Sequence, residues 1–297
     1  MQVLNQAIVL FLLMALGYFI AKRRILDRGA FDGLNKFVLL FTLPCLTFVK
    51  LQRDALPGQM GELLQTFLFA AASMLLCGGI ALLYTRRETE KRQSVFIHMA
   101  MFSNCGYMGY PLIIAALGEQ KLIYAVMYVA AFNLLTWTVG VYLYAGKSGL
   151  SLKRILLNPT LIAVTLGTVF FAFSIRIPKL PLDAMNMLGD TTTPLSMVII
   201  GARLAELQFS DLQDGMMLFS CLMRLVIFPL VIWGILTLLK VPRGVLEGVF
   251  ICSAMPGSAA TAMQAEYYRG DGLTASRSVA VSTALAVVTI PIILQLL

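Results

Sequence analysis

Apolar runs of about 20 residues alternate with short polar connections along the whole chain, and that alternation decides which solvent it can fold in. Wound as a helix at about 1.5 Å per residue, a run of that length matches the roughly 30 Å hydrocarbon core of a bilayer. Hydrophobic residues make up 59% of the 297 and charged residues 13%, against about 25% charged in a soluble domain. A water-soluble fold could not bury that much apolar surface. Inside lipid every backbone polar group must be satisfied within the segment, so the expectation is an all-α integral membrane protein.

The runs fall at Val3 to Ala21, Leu34 to Leu51, Leu63 to Thr85, Ser94 to Leu117 and Leu122 to Ala145, then Ile155 to Ile175, Ala184 to Leu204, Met216 to Leu239, Val245 to Tyr267 and Ala275 to Leu297. These are ten expected transmembrane helices, five in each half, with no stretch left for a soluble catalytic domain; an enzyme is not expected. Met1 to Ala7 lacks a basic n-region, and Lys22, Arg23 and Arg24 follow the first run where a cleavage site would need small residues. The first run therefore reads as a retained helix.

The net charge of +8 sits in short loops between apolar runs and reads as topology, not as a nucleic-acid surface. Lys and Arg concentrate after spans one, three and five, at Lys22, Arg23, Arg24, Arg28, Arg86, Arg87, Lys91, Arg92, Lys147, Lys153 and Arg154. That bias places those loops in the cytoplasm and both termini on the outer side of a cell membrane. All five cysteines, Cys45, Cys77, Cys105, Cys221 and Cys252, lie in apolar segments without a CxxC pair, so neither a disulfide framework nor zinc is expected. His98 is the only histidine. It excludes a multi-histidine metal centre, and its expected place is a helix end near the headgroups. No cofactor is implied.

An odd number of helices per half puts two matching halves in the membrane with opposite orientation. The expected units are residues 1–146 and 147–297, two inverted five-helix repeats. Thr42-Leu43-Pro44 answers Thr192-Thr193-Pro194 at an offset of 150, and Leu117-Gly118-Glu119 answers Arg269-Gly270-Asp271 at 152.

Spans four and nine carry polar, glycine-rich interruptions around a proline. Span four reads Ser103-Asn104-Cys105-Gly106-Tyr107-Met108-Gly109-Tyr110-Pro111, and span nine reads Ser253-Ala254-Met255-Pro256-Gly257-Ser258 followed by Thr261 and Gln264. Proline removes a backbone donor and clashes with the preceding turn, while Gly106 and Gly109 relax the backbone. Irregular backbone at membrane depth is tolerated only beside protein or a watery cavity. Two interrupted helices at matching places of inverted halves point to a transporter's binding site, with both second half-helices presenting positive dipole ends to an anion.

Other patterns fail. Gly140 to Ser148 has the wrong spacing for a phosphate-binding loop, Asn158-Pro159-Thr160 cannot accept a glycan, and no serine has a dyad partner. Gly244-x-x-x-Gly248 allows close helix packing.

Asn104-x-x-x-x-Gly109-x-Pro111-Leu112, Ala254-Met255-Pro256 with Ala265-Glu266-Tyr267, and Leu188-Gly189-Asp190 with Gly201-Ala202-Arg203-Leu204 resemble the auxin efflux carrier family. Leu16-Gly17-Tyr18, Arg24-Ile25-Leu26 and Leu43-Pro44 are similar to it as well. The resemblance covers essentially the whole chain, without the long central loop of the plant PIN-type members. It implies broken helices crossing in spans four and nine, a scaffold of spans one, two, six and seven, often dimeric, and a transport domain of the other six moving as an elevator. It also implies a substrate-contacting role for Asn104 and crossover roles for Pro111 and Pro256. From position, Tyr107, Ser258, Thr261 and Gln264 join Gly106 and Gly109 as candidate binding residues.

The expected activity is secondary transport of a small organic carboxylate, exported or exchanged. Moving one negative charge out of a cell gains about 2.3 kcal/mol per 100 mV. An alternative is proton or sodium coupling through Asp190, the deepest acid, which could instead reach a polar cavity or pair with Arg224. Another is a membrane sensor that binds a ligand without cycling it.

Overall fold

The computed structural model describes residues 2–53, 58–205 and 214–296. Met1 and Leu297, the termini expected on the outer side, lie outside the described residues. The helices of the first half are α1 (Gln2–Lys22), α2 (Arg28–Phe37), α3 (Leu43–Lys50), α4 (Gln59–Tyr84), α5 (Glu90–Met101), α6 (Tyr110–Leu117), α7 (Leu122–Leu135) and α8 (Val141–Ala145). Then come α9 (Leu152–Leu156), α10 (Pro159–Ala172), α11 (Lys179–Asp190), α12 (Thr192–Leu204), α13 (Gly215–Leu222), α14 (Phe228–Leu238), α15 (Arg243–Ser253), α16 (Ala259–Tyr267) and α17 (Gly272–Ile293). Five continuous helical stretches, Arg28–Lys50, Gln59–Tyr84, Glu119–Gly149, Gly215–Leu238 and Gly272–Leu296, are long and apolar enough to cross a membrane. Val9–Lys22, Cys105–Leu117 and Pro159–Ala172 are shorter apolar helices. This is a helical, multi-pass membrane architecture.

Local chemistry sets the helix boundaries. Asp27 caps α2 by accepting from Ala30 N at 2.8 Å, so the second stretch begins at Arg28, earlier than apolar counting from Leu34 suggests. Asn158 caps α10 by accepting from Leu161 N at 2.9 Å, with Pro159 at its start, which splits the expected sixth span into α9 and α10. The seventh is divided at Thr191 into α11 and α12.

Three prolines sit in the first turn of a helix that follows a π turn: Pro44 after Val38–Thr42, Pro111 after Cys105–Gly109, and Pro229 after Met223–Ile227. The residue four before each proline, Leu40, Tyr107 or Leu225, is the middle of its π turn. A proline ring pushes that carbonyl away and offers it no donor; widening the turn by one residue relieves both.

α1 packs along α12, and α3 packs on α10 and α11. α4 packs on α5, α7 and α15, while α17 packs on α13 and α16. The α1–α12 contact is backbone on backbone: a methyl group at Gly17 would strike the carbonyl of Val198, and one at Gly201 that of Met14. Close approach through small residues is how helices associate where lipid offers no hydrophobic drive. Gly244 and Gly248 serve the same end in α15, where Tyr124 lies flat against both. Large apolar side chains such as Leu12, Leu64, Leu180 and Leu238 remain exposed around the periphery, as a lipid-facing surface requires.

Candidate binding site at the helix crossing

The helix of span four stops at Met101 and resumes at Cys105; that of span nine stops at Ser253 and resumes at Ala259. The two extended breaks lie side by side. Asn104 N donates to Pro256 O at 2.8 Å, Ser258 N donates to Phe102 O at 2.9 Å, and Ser103 and Gly257 form an antiparallel bridge. Backbone groups freed by breaking two helices are thus spent on each other.

The four half-helix ends left at this junction have opposite polarity. The C-terminal ends of α5 and α15 converge on Arg224, whose side chain is 1% exposed. Its Nη1 donates to Ala100 O at 2.7 Å, Nη2 to Ser253 O at 2.6 Å and Nε to Met255 O at 3.1 Å. A buried guanidinium there satisfies orphan carbonyls and neutralises two negative dipole ends. The N-terminal ends, starting at Cys105 and Ala259, face a cavity of about 650 Å³, with a smaller one of about 70 Å³ at the crossing itself. The large cavity's lining includes Arg28, Lys36, Arg203 and Arg277 against Asp32 and Glu266, four cations to two carboxylates. Positive dipole ends and an excess of cations favour an anion.

Asn104 is 6% exposed and lines both cavities. Its side chain makes no hydrogen bond among the described residues. Tyr107 also lines both, and its hydroxyl donates to Asn35 Oδ1 at 2.8 Å. Gly106 and Ser258 line the smaller cavity, and the Ser258 hydroxyl caps α16 by accepting from Ala260 N at 3.2 Å. The hydroxyl of Ser103, fully buried beside them, has no hydrogen-bond partner among the described residues. Pro256 contributes its backbone to the crossing.

The remaining candidates are elsewhere. Gly109 faces Cys252 and Met255, which a methyl group there would meet at ordinary van der Waals distance. Pro111 is not at the crossing; it sits in the first turn of α6, where it shapes the π turn that carries Tyr107. Thr261 and Gln264 lie on the side of α16 turned away from the cavity and are occupied by His98. Gln264 Oε1 accepts from His98 Nε2 at 3.2 Å, so that nitrogen carries the proton, and the Thr261 hydroxyl donates to Nδ1 at 2.9 Å. Gln264 Nε2 in turn donates to Thr136 O at 3.0 Å. His98 is 0% exposed, not a headgroup residue, because both its ring nitrogens are paired inside the bundle. Asp190 is exposed at the end of α11, and Arg224, whose three nitrogen atoms all serve carbonyls, does not pair with it.

Asn35 and the carbonyl-binding role of Arg224 escape a sequence reading centred on the broken spans. Each had a signal: Arg224 is a lone charge in an apolar span, and Asn35 a lone amide at the start of one.

Residues 2–151 and 148–294 match the model of a family described as membrane transport protein. The chain is 24% identical over 300 residues to an uncharacterized transporter of Methanocaldococcus jannaschii, covering 97% of this chain and 96% of that one. It is 27% identical over 289 residues to an uncharacterized transporter of Methanothermobacter thermautotrophicus, covering 94% and 93%. The resemblance drawn from the span-four and span-nine motifs is borne out by these matches.

Proposed function

The chain belongs to the auxin efflux carrier-type membrane transport protein family, and we propose that it is a secondary carrier of a small organic anion whose carboxylate is held where the two broken helices cross. The observation that carries this reading is Asn104, a buried amide with no hydrogen-bond partner among the described residues, lining a cavity onto which two half-helix N-termini open. A carboxylate offers acceptors to all of these donors.

The rest of the reading is architectural. Ten spans form two inverted halves, residues 1–146 and 147–297, in a cell membrane with both termini outside; the hydroxyl contact between Thr42 and Thr192, residues of matching motifs, supports the duplication. Spans one, two, six and seven form a scaffold that dimerises, and the other six form the moving bundle; the packing of α1 on α12 and of α3 on α10 and α11 supports that division. The large cavity then opens to the cytoplasmic side, beside Arg28, Arg203 and Arg277. The opposite face is closed by Lys121 and Arg243 on Glu247, at 3.1 and 2.7 Å, and by Lys50 on Glu119 at 3.5 Å. An elevator step would exchange these two faces.

The uncoupled reading is favoured over cation coupling. Transporters with broken helices hold a coupling cation on unwound carbonyls and half-helix C-terminal ends; here the carbonyls of Ala100, Ser253 and Met255 are taken by Arg224. Membrane potential alone supplies about 2.3 kcal/mol per 100 mV for each exported charge, roughly a fifty-fold concentration ratio. Counterflow of radiolabelled organic acids into proteoliposomes tests the carrier reading. Accumulation of label against a preloaded acid supports it, and binding without counterflow would instead make the protein a sensor.

A further inference from the structure

The two cavities share six lining residues, Asn35, Leu39, Asn104, Tyr107, Ala259 and Met263, so these form the boundary between the wide vestibule and the crossing. Two of the six, Asn35 and Tyr107, bridge that boundary. Tyr107 belongs to the second half of span four, and Asn35 belongs to α2, which packs on α12. Their hydrogen bond, Tyr107 hydroxyl to Asn35 Oδ1 at 2.8 Å, therefore joins an arm of the crossing to a helix outside it. In this arrangement the Oδ1 end of the Asn35 amide faces Tyr107. With Oδ1 accepting from Tyr107, the Nδ2 group of Asn35 is the end left over, and it has no partner among the described residues.

Asn104 stands on the same boundary with its own amide unpartnered. Two carboxamides from different parts of the fold thus meet at one place, each with donors to give. The inner cavity, about 70 Å³, is far below the roughly 300 Å³ at which drug-sized ligand pockets begin. It accommodates an anionic head group, while the body of a ligand extends into the vestibule between α2, α12, α16 and α17.

We propose that Asn35 is a second anion-binding carboxamide, contributed by α2, oriented by Tyr107, and acting with Asn104 on the same head group. This inference rests on the carrier reading above and deepens it: the ligand bridges the crossing to α2, so occupancy is sensed on both sides of the boundary. Replacing Asn35 by Asp keeps the acceptor that Tyr107 needs and removes both donors, putting a negative charge where the anion binds. Protonating that carboxyl restores one donor and removes the repulsion.

The test is counterflow in proteoliposomes with labelled acetate, succinate, malate, benzoate and indole-3-acetate, using whichever acid the wild type exchanges best. Variants are matched by size-exclusion profile and thermal melt. Asn35→Asp is expected to raise the KM at pH 7.5 on the order of 100-fold and to recover about three-fold at pH 5, each relative to wild type at the same pH. Asn35→Ala is expected to lose roughly ten-fold with no recovery on acidification, and Tyr107→Phe to lose about as much through a disoriented amide. A merely structural role for Asn35 would not produce recovery in the Asp variant alone. Wild-type KM in Asn35→Asp at pH 7.5, with the wild type active, overturns the assignment of Asn35 and leaves the carrier reading standing. Absence of wild-type counterflow with every acid overturns the carrier reading and this inference with it.

Discussion

The Thr192 hydroxyl donates to the Thr42 hydroxyl oxygen at 2.9 Å, between side chains that are 1% and 0% exposed. The two threonines occupy equivalent places in Thr42-Leu43-Pro44 and Thr192-Thr193-Pro194. If the halves are the inverted repeats proposed above, residues related by their two-fold axis meet only where that axis passes, and this contact fits that position. It also joins the end of the π turn before α3 to the start of α12 at a dry point with no solvent to replace a lost partner.

Replacing one threonine of this pair with valine leaves the other hydroxyl to desolvate alone, whereas replacing both removes the polar atoms together. Thr42→Val and Thr192→Val are each expected to cost about 1 kcal/mol, and the double variant less than their sum. Thermal melts of the four detergent-purified proteins measure the coupling. Additive losses would mean that the hydroxyls act independently.

Arg224 places a charge where lipid-embedded proteins avoid one, and its value lies in matching three carbonyls at once. Lysine cannot reproduce the planar fork, and glutamine cannot reproduce the charge. Arg224→Gln is expected to lose about 3 kcal/mol of stability, because the C-terminal ends of α5 and α15 are then left facing each other without compensation, and Arg224→Lys to recover only part of it. In the wild type, counterflow at clamped potential should proceed at the same rate in sodium, potassium and choline. A sodium-dependent rate would mean that a mobile cation still binds despite the guanidinium.

Asp190 illustrates what an apolar window hides. Sequence hydropathy buries it in a span, yet α11 ends at this residue and α12 starts afresh beyond Thr191, leaving its carboxylate exposed. Asp190→Asn is therefore expected to leave the pH profile of transport unchanged. A profile flattened by this substitution would return Asp190 to a coupling role.

The sequence made the broken spans legible because proline and glycine act locally: Pro256 and Gly257 lie within the break at Ala254–Ser258, and Gly106 lies just beyond the break at Phe102–Asn104. It could not reveal the rotation of α16. Both sides of that helix carry polar residues: Ser258, Ala259, Ala262, Met263 and Glu266 line the cavities, while Thr261, Gln264 and Ala265 are buried. The tie-breaker is His98, distant in sequence, which claims Thr261 and Gln264 through hydrogen bonds. Asn35 carried only the weak signal of a lone amide at a span start, and tertiary contact with Tyr107 is what ties it to the crossing.

Asn104 and Thr261 separate binding from support within one crossing. Asn104 lines both cavities, and a hydrogen bond to a charged ligand is typically worth about 1.5 to 3 kcal/mol, so Asn104→Ala should weaken substrate affinity roughly ten-fold to a hundred-fold. Thr261→Val removes a hydroxyl that, among the described residues, bonds His98 alone, so it should lower the melting temperature while leaving affinity within about three-fold of wild type, since His98 loses a donor and α16 stays in place. Pro111→Ala belongs with Thr261: it allows the π turn at Cys105–Gly109 to tighten, shifting Tyr107 without removing a donor. Its expected effect is a slower turnover at modestly altered KM. Affinity can be followed by isothermal titration with the acid selected in counterflow. Unchanged affinity in Asn104→Ala, together with a large loss in Thr261→Val, would move the binding site to the His98 side of α16.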